Sequence, residues 1–202
     1  MQKTAKWDVF EIELHGPCGG NPFLDVKLAA EARHGNRVQQ IRGFYDGDGV
    51  YKLRIMPDSE GEWSYRVSSS SPELDGAQGT FLCTPARAGV HGPVRVDSVA
   101  EIHGNGHGVT HSTRFAYADG TDYQPVGTTC YCWTSQPREL EELTLKTLAQ
   151  APFNKLRMCV FPKHYDFNHN DPPLYAFEGS KETGWDYTRF QPAFFRHLEQ
   201  RI

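Results

Sequence analysis

GTTCYCW, residues 127–133, is where the chain changes character. An apolar run through Tyr123, Pro125 and Val126 leads into two threonines, Cys130 and Cys132 in Cys-x-Cys spacing, Tyr131 and Trp133. It reads either as a metal or redox motif, or as a buried strand opening into a ligand site. A structural zinc needs further ligands at defined spacing, and there is no second cysteine pair. A thioredoxin-type site needs Cys-x-x-Cys. The cysteines are therefore read as small, partly buried residues that share one face of a strand. No metal and no cofactor is expected.

Downstream, Ser135 is a plausible N-cap with Pro137 in the first turn of a helix. Leu140, Leu143, Thr147, Leu148 and Ala151 supply its apolar face, and Pro152 stops it. Leu156 to Phe161 forms a second strand, apolar on both faces apart from Arg157. A long polar and aromatic loop runs from Pro162 to about Trp185, and a last helix starts near Pro192 with Phe194, Phe195, Leu198 and Ile202. Strands buried on both faces belong to a parallel sheet covered by helices. Two such strands leave an apolar edge open, so this domain is expected to be incomplete.

Upstream, residues 7 to 84 read as all-β. Phe10, Ile12 and Leu14 alternate with Glu11 and Glu13; Val26 and Leu28 lie two apart; Tyr51, Leu53 and Ile55 alternate with Lys52 and Arg54; Trp63, Tyr65 and Val67 alternate with Ser64 and Arg66. Such alternation marks half-buried antiparallel strands, and Trp63, Tyr65, Leu53 and Ile55 are the expected core. Turn signals punctuate them at Gly19-Gly20-Asn21-Pro22, Gly35-Asn36, Asp46-Gly47-Asp48-Gly49 and Pro57 to Gly61. Asp46 and Asp48 lack the rest of a calcium-loop pattern, so a glycine turn is the reading. The expectation is an immunoglobulin-like antiparallel β-sandwich over 1–85, a linker and insertion over 86–113, and βα units over 114–202. Asp119-Gly120 signals a hairpin turn.

The whole chain has 202 residues, a formal net charge of -4 and 38% hydrophobic residues, which suits one large or two small domains. It has no basic stripe for nucleic acid and no apolar stretch long enough to span a bilayer. Five cysteines and an N-terminus without an apolar signal core point to reduced thiols in the cytoplasm. Oligomeric state is not legible. His103, His107 and His111 recur at helical spacing, but Gly104, Gly106 and Gly108 interleave and favour a loop.

NPFLDVKLAAEARHG, GFYDGDGVYKLRIMPDSEGEWSYRVSSSSPELDGAQGTF and HGPVRV resemble the N-terminal sandwich domain of unknown function that precedes certain glycoside hydrolase barrels. FAYADGTDYQPVGTTCYCWTSQ and APFNKLRMCVFPKHYDFNHN resemble the first two βα units of the apiosidase-like (β/α)8 (TIM) barrel in those proteins. DYTRFQPAFFRHLEQRI resembles the helix after its second strand. The resemblance implies the front of a glycoside hydrolase acting on oligosaccharides or plant-type glycosides, with the rest of the barrel as its missing partner. Its catalytic carboxylates come from later strands, so none is expected in this chain. A non-catalytic carbohydrate-binding or structural module is the alternative.

Barrel strands present their C-terminal ends to the active site. That makes Tyr131 and Trp133 candidate stacking faces for a sugar ring, and Lys163, His164 and Tyr165 candidate contacts to its hydroxyls. Arg157 is expected to be buried and therefore paired. It either ties barrel layers together by a salt bridge or, as Asn154-x-x-Arg157 resembles the second-strand arginine of many glycosidase barrels, orients a catalytic carboxylate. Asp166, Asp171 and Glu178 read as loop residues or substrate contacts.

Overall fold

Period-two patterning fills the front of the chain with strands. The computed structural model describes residues 1–102, 109–161 and 165–202, with backbone alone for 98–102 and 109–112. Its first eight strands are β1 Gln2–Ala5, β2 Phe10–His15, β3 Leu28–His34, β4 Arg37–Arg42, β5 Phe44–Gly47, β6 Val50–Ile55, β7 Gly61–Ser69 and β8 Gln78–Thr84, with a short helical turn, α1, at Pro22–Asp25. One sheet has the order β1-β8-β7-β3-β4 and the other β2-β6-β5. Every pairing is antiparallel except β1 with β8.

The two sheets turn their apolar residues into one core. β6 contributes Tyr51, Leu53 and Ile55, β2 contributes Phe10 and Ile12, and β7 contributes Trp63 and Val67, all buried. Tyr65 is half-buried against that cluster. Phe10 from the smaller sheet stacks on Phe81 from the larger at 4.0 Å between centroids. In β3 the inward positions Ala30 and Ala32 carry only methyls, which leaves room for the large β6 side chains to interdigitate. Buried polar tips are satisfied: the Trp63 indole N–H donates to the Ser59 carbonyl at 2.8 Å and the Tyr51 hydroxyl to the Pro17 carbonyl at 2.7 Å.

The outer face of the smaller sheet is charged. Lys52 lies 3.1 Å from Glu11 and 3.2 Å from Asp46, and Arg54 lies 2.7 Å from Glu11. Burial pushes the Glu11 carboxyl up, but the hydrogen bonds from Arg54 and Lys52 outweigh it and hold it below its ordinary value. The Asp46-Gly47-Asp48-Gly49 stretch is the β5–β6 turn, with φ of 90°, 52° and 76° at its last three residues. Two glycines make those left-handed angles accessible.

The molecule is mostly β-sheet and divides into two compact units, Met1–Gln124 and Pro125–Ile202. β8 ends at Thr84, and the first unit runs on through an antiparallel pair, β9 Val94–Ile102 and β10 Val109–Tyr117. A turn at Asp119-Gly120 follows β10, closed by the bridge between Ala116 and Asp122. There the Asp119 carboxylate accepts from the Thr121 backbone N–H at 2.9 Å and lies 2.7 Å from His91 Nδ1.

The second unit begins with β11 Gly127–Thr129, a 3-10 turn Trp133–Ser135, α2 Arg138–Ala149 and β12 Lys155–Arg157. β11 and β12 pair in parallel, with Gly127 opposite Lys155 and Thr129 opposite Arg157. The helix starts later than its sequence suggests: Pro137 occupies the N-cap and Ser135 belongs to the 3-10 turn. Its predicted apolar face is also rotated. Leu140 and Leu143 are exposed, and the buried position is Glu141. On that buried side the Arg201 side chain, 8% exposed, comes within 2.9 Å of the Glu141 carboxylate.

The stretch read as one long loop contains a hairpin, β13 Phe177–Ser180 and β14 Gly184–Phe190, before α3 Pro192–Glu199. Asp186 to Phe190, taken with the final helix in the sequence, is strand β14. Phe194 is buried on α3, Phe195 and Leu198 are half-buried, and Ile202 is exposed.

Candidate functional site

The parallel β11–β12 pair sets one corner of the second unit. Asn154 anchors its start: the Val126 N–H donates to Asn154 Oδ1 at 2.8 Å and the Asn154 N–H to the Val126 carbonyl at 2.9 Å. At the other end the ladder continues past the strands, with the Cys130 N–H on the Arg157 carbonyl at 2.9 Å and the Cys159 N–H on the Tyr131 carbonyl at 2.8 Å. The C-terminal ends of both strands therefore open side by side, and Tyr131 stands at that opening.

Regular strand stops at Thr129, before Tyr131 and Trp133. The chain turns at Tyr131-Cys132 and enters the 3-10 turn, so Cys130 and Cys132 also lie beyond the strand. Trp133 is 6% exposed, with its indole N–H on the Met158 sulfur at 3.4 Å; it packs under the corner and offers no open ring face here. Tyr131 is half-exposed. The Arg157 guanidinium sits over its ring at 5.3 Å, a cation–π contact. Arg157 is exposed, contrary to the burial expected from its apolar strand, because no further strand covers β12 among the described residues.

Tyr165 meets Tyr131 edge-to-face, with centroids 6.1 Å apart at 89°. Phe167 meets Tyr165 in turn at 6.0 Å and 67° and is 89% exposed. Desolvation first, then the neighbouring Cys132, Cys159 and Tyr131, hold the Tyr165 phenol above its ordinary value. It thus stays a neutral hydroxyl, able to donate and accept. Lys163 and His164 lie outside the described residues. So do His103 and His107. Among the described residues, no three His, Cys, Asp or Glu side chains are grouped so as to hold a metal ion.

Tyr165 to Asn168 forms a tight turn closed by two backbone hydrogen bonds: the Tyr165 N–H donates to the Asn168 carbonyl at 3.1 Å and the Asn168 N–H to the Tyr165 carbonyl at 2.8 Å. Asn168 is buried. Its Oδ1 accepts from Gln136 Nε2 at 2.9 Å, and the same Gln136 nitrogen donates to the Cys132 carbonyl at 3.0 Å. Sequence reading missed Gln136 and Asn168, since a lone amide in a loop carries no pattern. It also missed the hairpin, although Trp185, Tyr187 and Arg189 alternate after Gly184. Asp171 is occupied by Lys181, and Glu178 lies in β13. A hollow of about 550 Å³ is lined by Gln136, Glu141, Asn170, His197 and Arg201, and another of about 590 Å³ runs along the β11–β12 pair.

Residues 3–70 match a domain of unknown function, DUF5060. The whole chain superposes, with a TM-score of 0.88 and 43% identity, on a crystal structure from Bacteroides vulgatus described as a "putative glycoside hydrolase". The chain has a glycoside-hydrolase-like fold. It spans 38% of that protein's length. No curated protein matches.

Proposed function

We propose that this chain is the front portion of a glycoside hydrolase that acts on oligosaccharides or plant-type glycosides. Its first unit carries an immunoglobulin-like sandwich as an accessory domain. Its second unit is the start of an apiosidase-like (β/α)8 barrel, to which β11, α2 and β12 contribute the first strand, the first helix and the second strand. The observation that carries this reading is the 43% identity sustained over all of this chain with a protein described as a "putative glycoside hydrolase". The parallel strand–helix–strand unit supports it, because such units build barrels with their sites at the C-terminal strand ends.

On this reading Tyr131 offers the apolar ring that stacks on a sugar's C–H face, and the Tyr165 hydroxyl, with Lys163 and His164, meets sugar hydroxyls. Trp133 backs the Tyr131 loop. Arg157 places positive charge beside the stacking ring, where it orients an acidic group of the completed site. The pair of carboxylates that cleaves the bond comes from later barrel strands, and the completed enzyme works in the cytoplasm without a metal or cofactor. The test is a screen of the longer protein, carrying this chain as its front portion, against aryl glycosides and plant oligosaccharides. Hydrolysis is expected. Saccharide binding without hydrolysis would instead make the protein a carbohydrate-binding module.

A further inference from the structure

The site's two loops are separate in sequence, and something must hold them in register. Tyr131 leaves β11; Tyr165 belongs to the loop after β12. Their rings touch only edge-on. A single edge-to-face contact between half-exposed rings adds little beyond the area it covers. Beside the Cys159 N–H on the Tyr131 carbonyl, a side-chain tie between these loops runs through Gln136.

Gln136 is half-buried directly after the 3-10 turn. Its amide uses both ends. Nε2 donates to the Cys132 carbonyl at 3.0 Å, inside its own loop, and to Asn168 Oδ1 at 2.9 Å, in the other. Oε1 accepts from Asn170 Nδ2 at 3.3 Å. The orientation is fixed by these partners: a flipped amide would turn its oxygen toward the Cys132 carbonyl. Asn168 is 7% exposed, so a hydrogen bond to its amide oxygen is shielded from bulk water. Asn168 in turn closes the tight turn that presents Tyr165.

We propose that Gln136 is a positioning residue of the saccharide site, whose amide clamps the Tyr165–Asn168 turn against the Tyr131 loop and so sets the tyrosine corner. The role rests on the reading of Tyr131 and Tyr165 as sugar contacts. Gln136 touches no sugar itself; it acts through Asn168.

The experiment has two arms. In the first, ring-proton nuclear Overhauser contacts between Tyr131 and Tyr165 are measured in the whole chain, wild type against Gln136→Leu and Asn168→Ala. Both substitutions are expected to abolish the contact while the contacts of the Trp63 core persist. In the second, cellotetraose and xylotetraose are titrated into the longer protein. Gln136→Leu should weaken binding about fivefold to tenfold, the scale of one neutral hydrogen bond. Asn168→Ala should do the same, and the double variant should lose no more than either alone, because one clamp is broken each time. A retained tyrosine contact in folded Gln136→Leu overturns the proposal whatever the titration gives. Loss of that contact with unchanged saccharide binding also overturns it as a role in the site. If Tyr131→Ala binds like wild type, the sugar reading fails instead, and the first arm alone then decides whether Gln136 positions the corner.

Discussion

Trp63 carries the largest share of the first unit's core at a single position. It has no exposed surface, stacks beside Phe81 at 6.2 Å and His34 at 5.3 Å, and satisfies its indole N–H internally. Trp63→Ala should lower unfolding free energy by about 3–5 kcal/mol, read by denaturant titration. Asp119 gives a prediction in pH. The Thr121 backbone N–H first, and the His91 side chain next, lower its carboxyl to about 2. An unfolded Asp titrates near about 3.9. A group depressed on folding stabilises fully above its unfolded value, and that contribution fades as pH falls through about 2. A carbon-13 titration of the Asp119 carboxyl should therefore show its midpoint near about 2; a midpoint at the ordinary value would remove the turn lock.

Elements were legible where alternation had a consistent partner face. Leu53 and Ile55 on β6, and Trp63 on β7, announce both their strands and their core and are buried as expected, while Tyr65 is half-buried at its edge. β4 was not legible, since Arg37, Gln39, Gln40 and Arg42 leave little apolar pattern in it. Helix α2 was only partly legible: Leu140 and Leu143 on its leucine stripe are exposed, while Glu141 is buried against Arg201. Glu141→Ala should destabilise the second unit by up to about 3 kcal/mol, at the low end for a broken buried pair because Arg201 keeps Glu142 at 2.7 Å. A change within error would mean the pair is passive. Close packing also tests the sheets. A methyl on Gly43 would come within 2.4 Å of Leu28 and 3.0 Å of Leu53. Gly43→Ala should cost about 1–3 kcal/mol, checked by the melting midpoint.

The molecule joins a self-contained β-sheet unit to a unit that shows many apolar side chains to solvent. Val126, Leu143, Val160 and Phe161 are each more than two-fifths exposed, and β12 has β11 as its one sheet neighbour among the described residues. The chain spans 38% of the length of the solved relative, and these exposed positions belong to the unit proposed as the start of a barrel. The tyrosine corner was only half legible: Tyr131 and Tyr165 follow from their places after two strands, whereas Arg157 was expected inside and Trp133 in the open. On the proposed reading, in which the Arg157 charge orients an acidic group rather than the bound sugar, Arg157→Ala in the longer protein should lower turnover more than it raises the Michaelis constant. The most direct test of the account is the steady-state kinetics of that protein with Tyr131→Ala beside wild type, on the best plant oligosaccharide found. The account predicts glycoside hydrolysis by wild type and kcat/KM reduced about tenfold or more in Tyr131→Ala, mainly through a raised KM. A folded Tyr131→Ala variant with wild-type kcat/KM would contradict it.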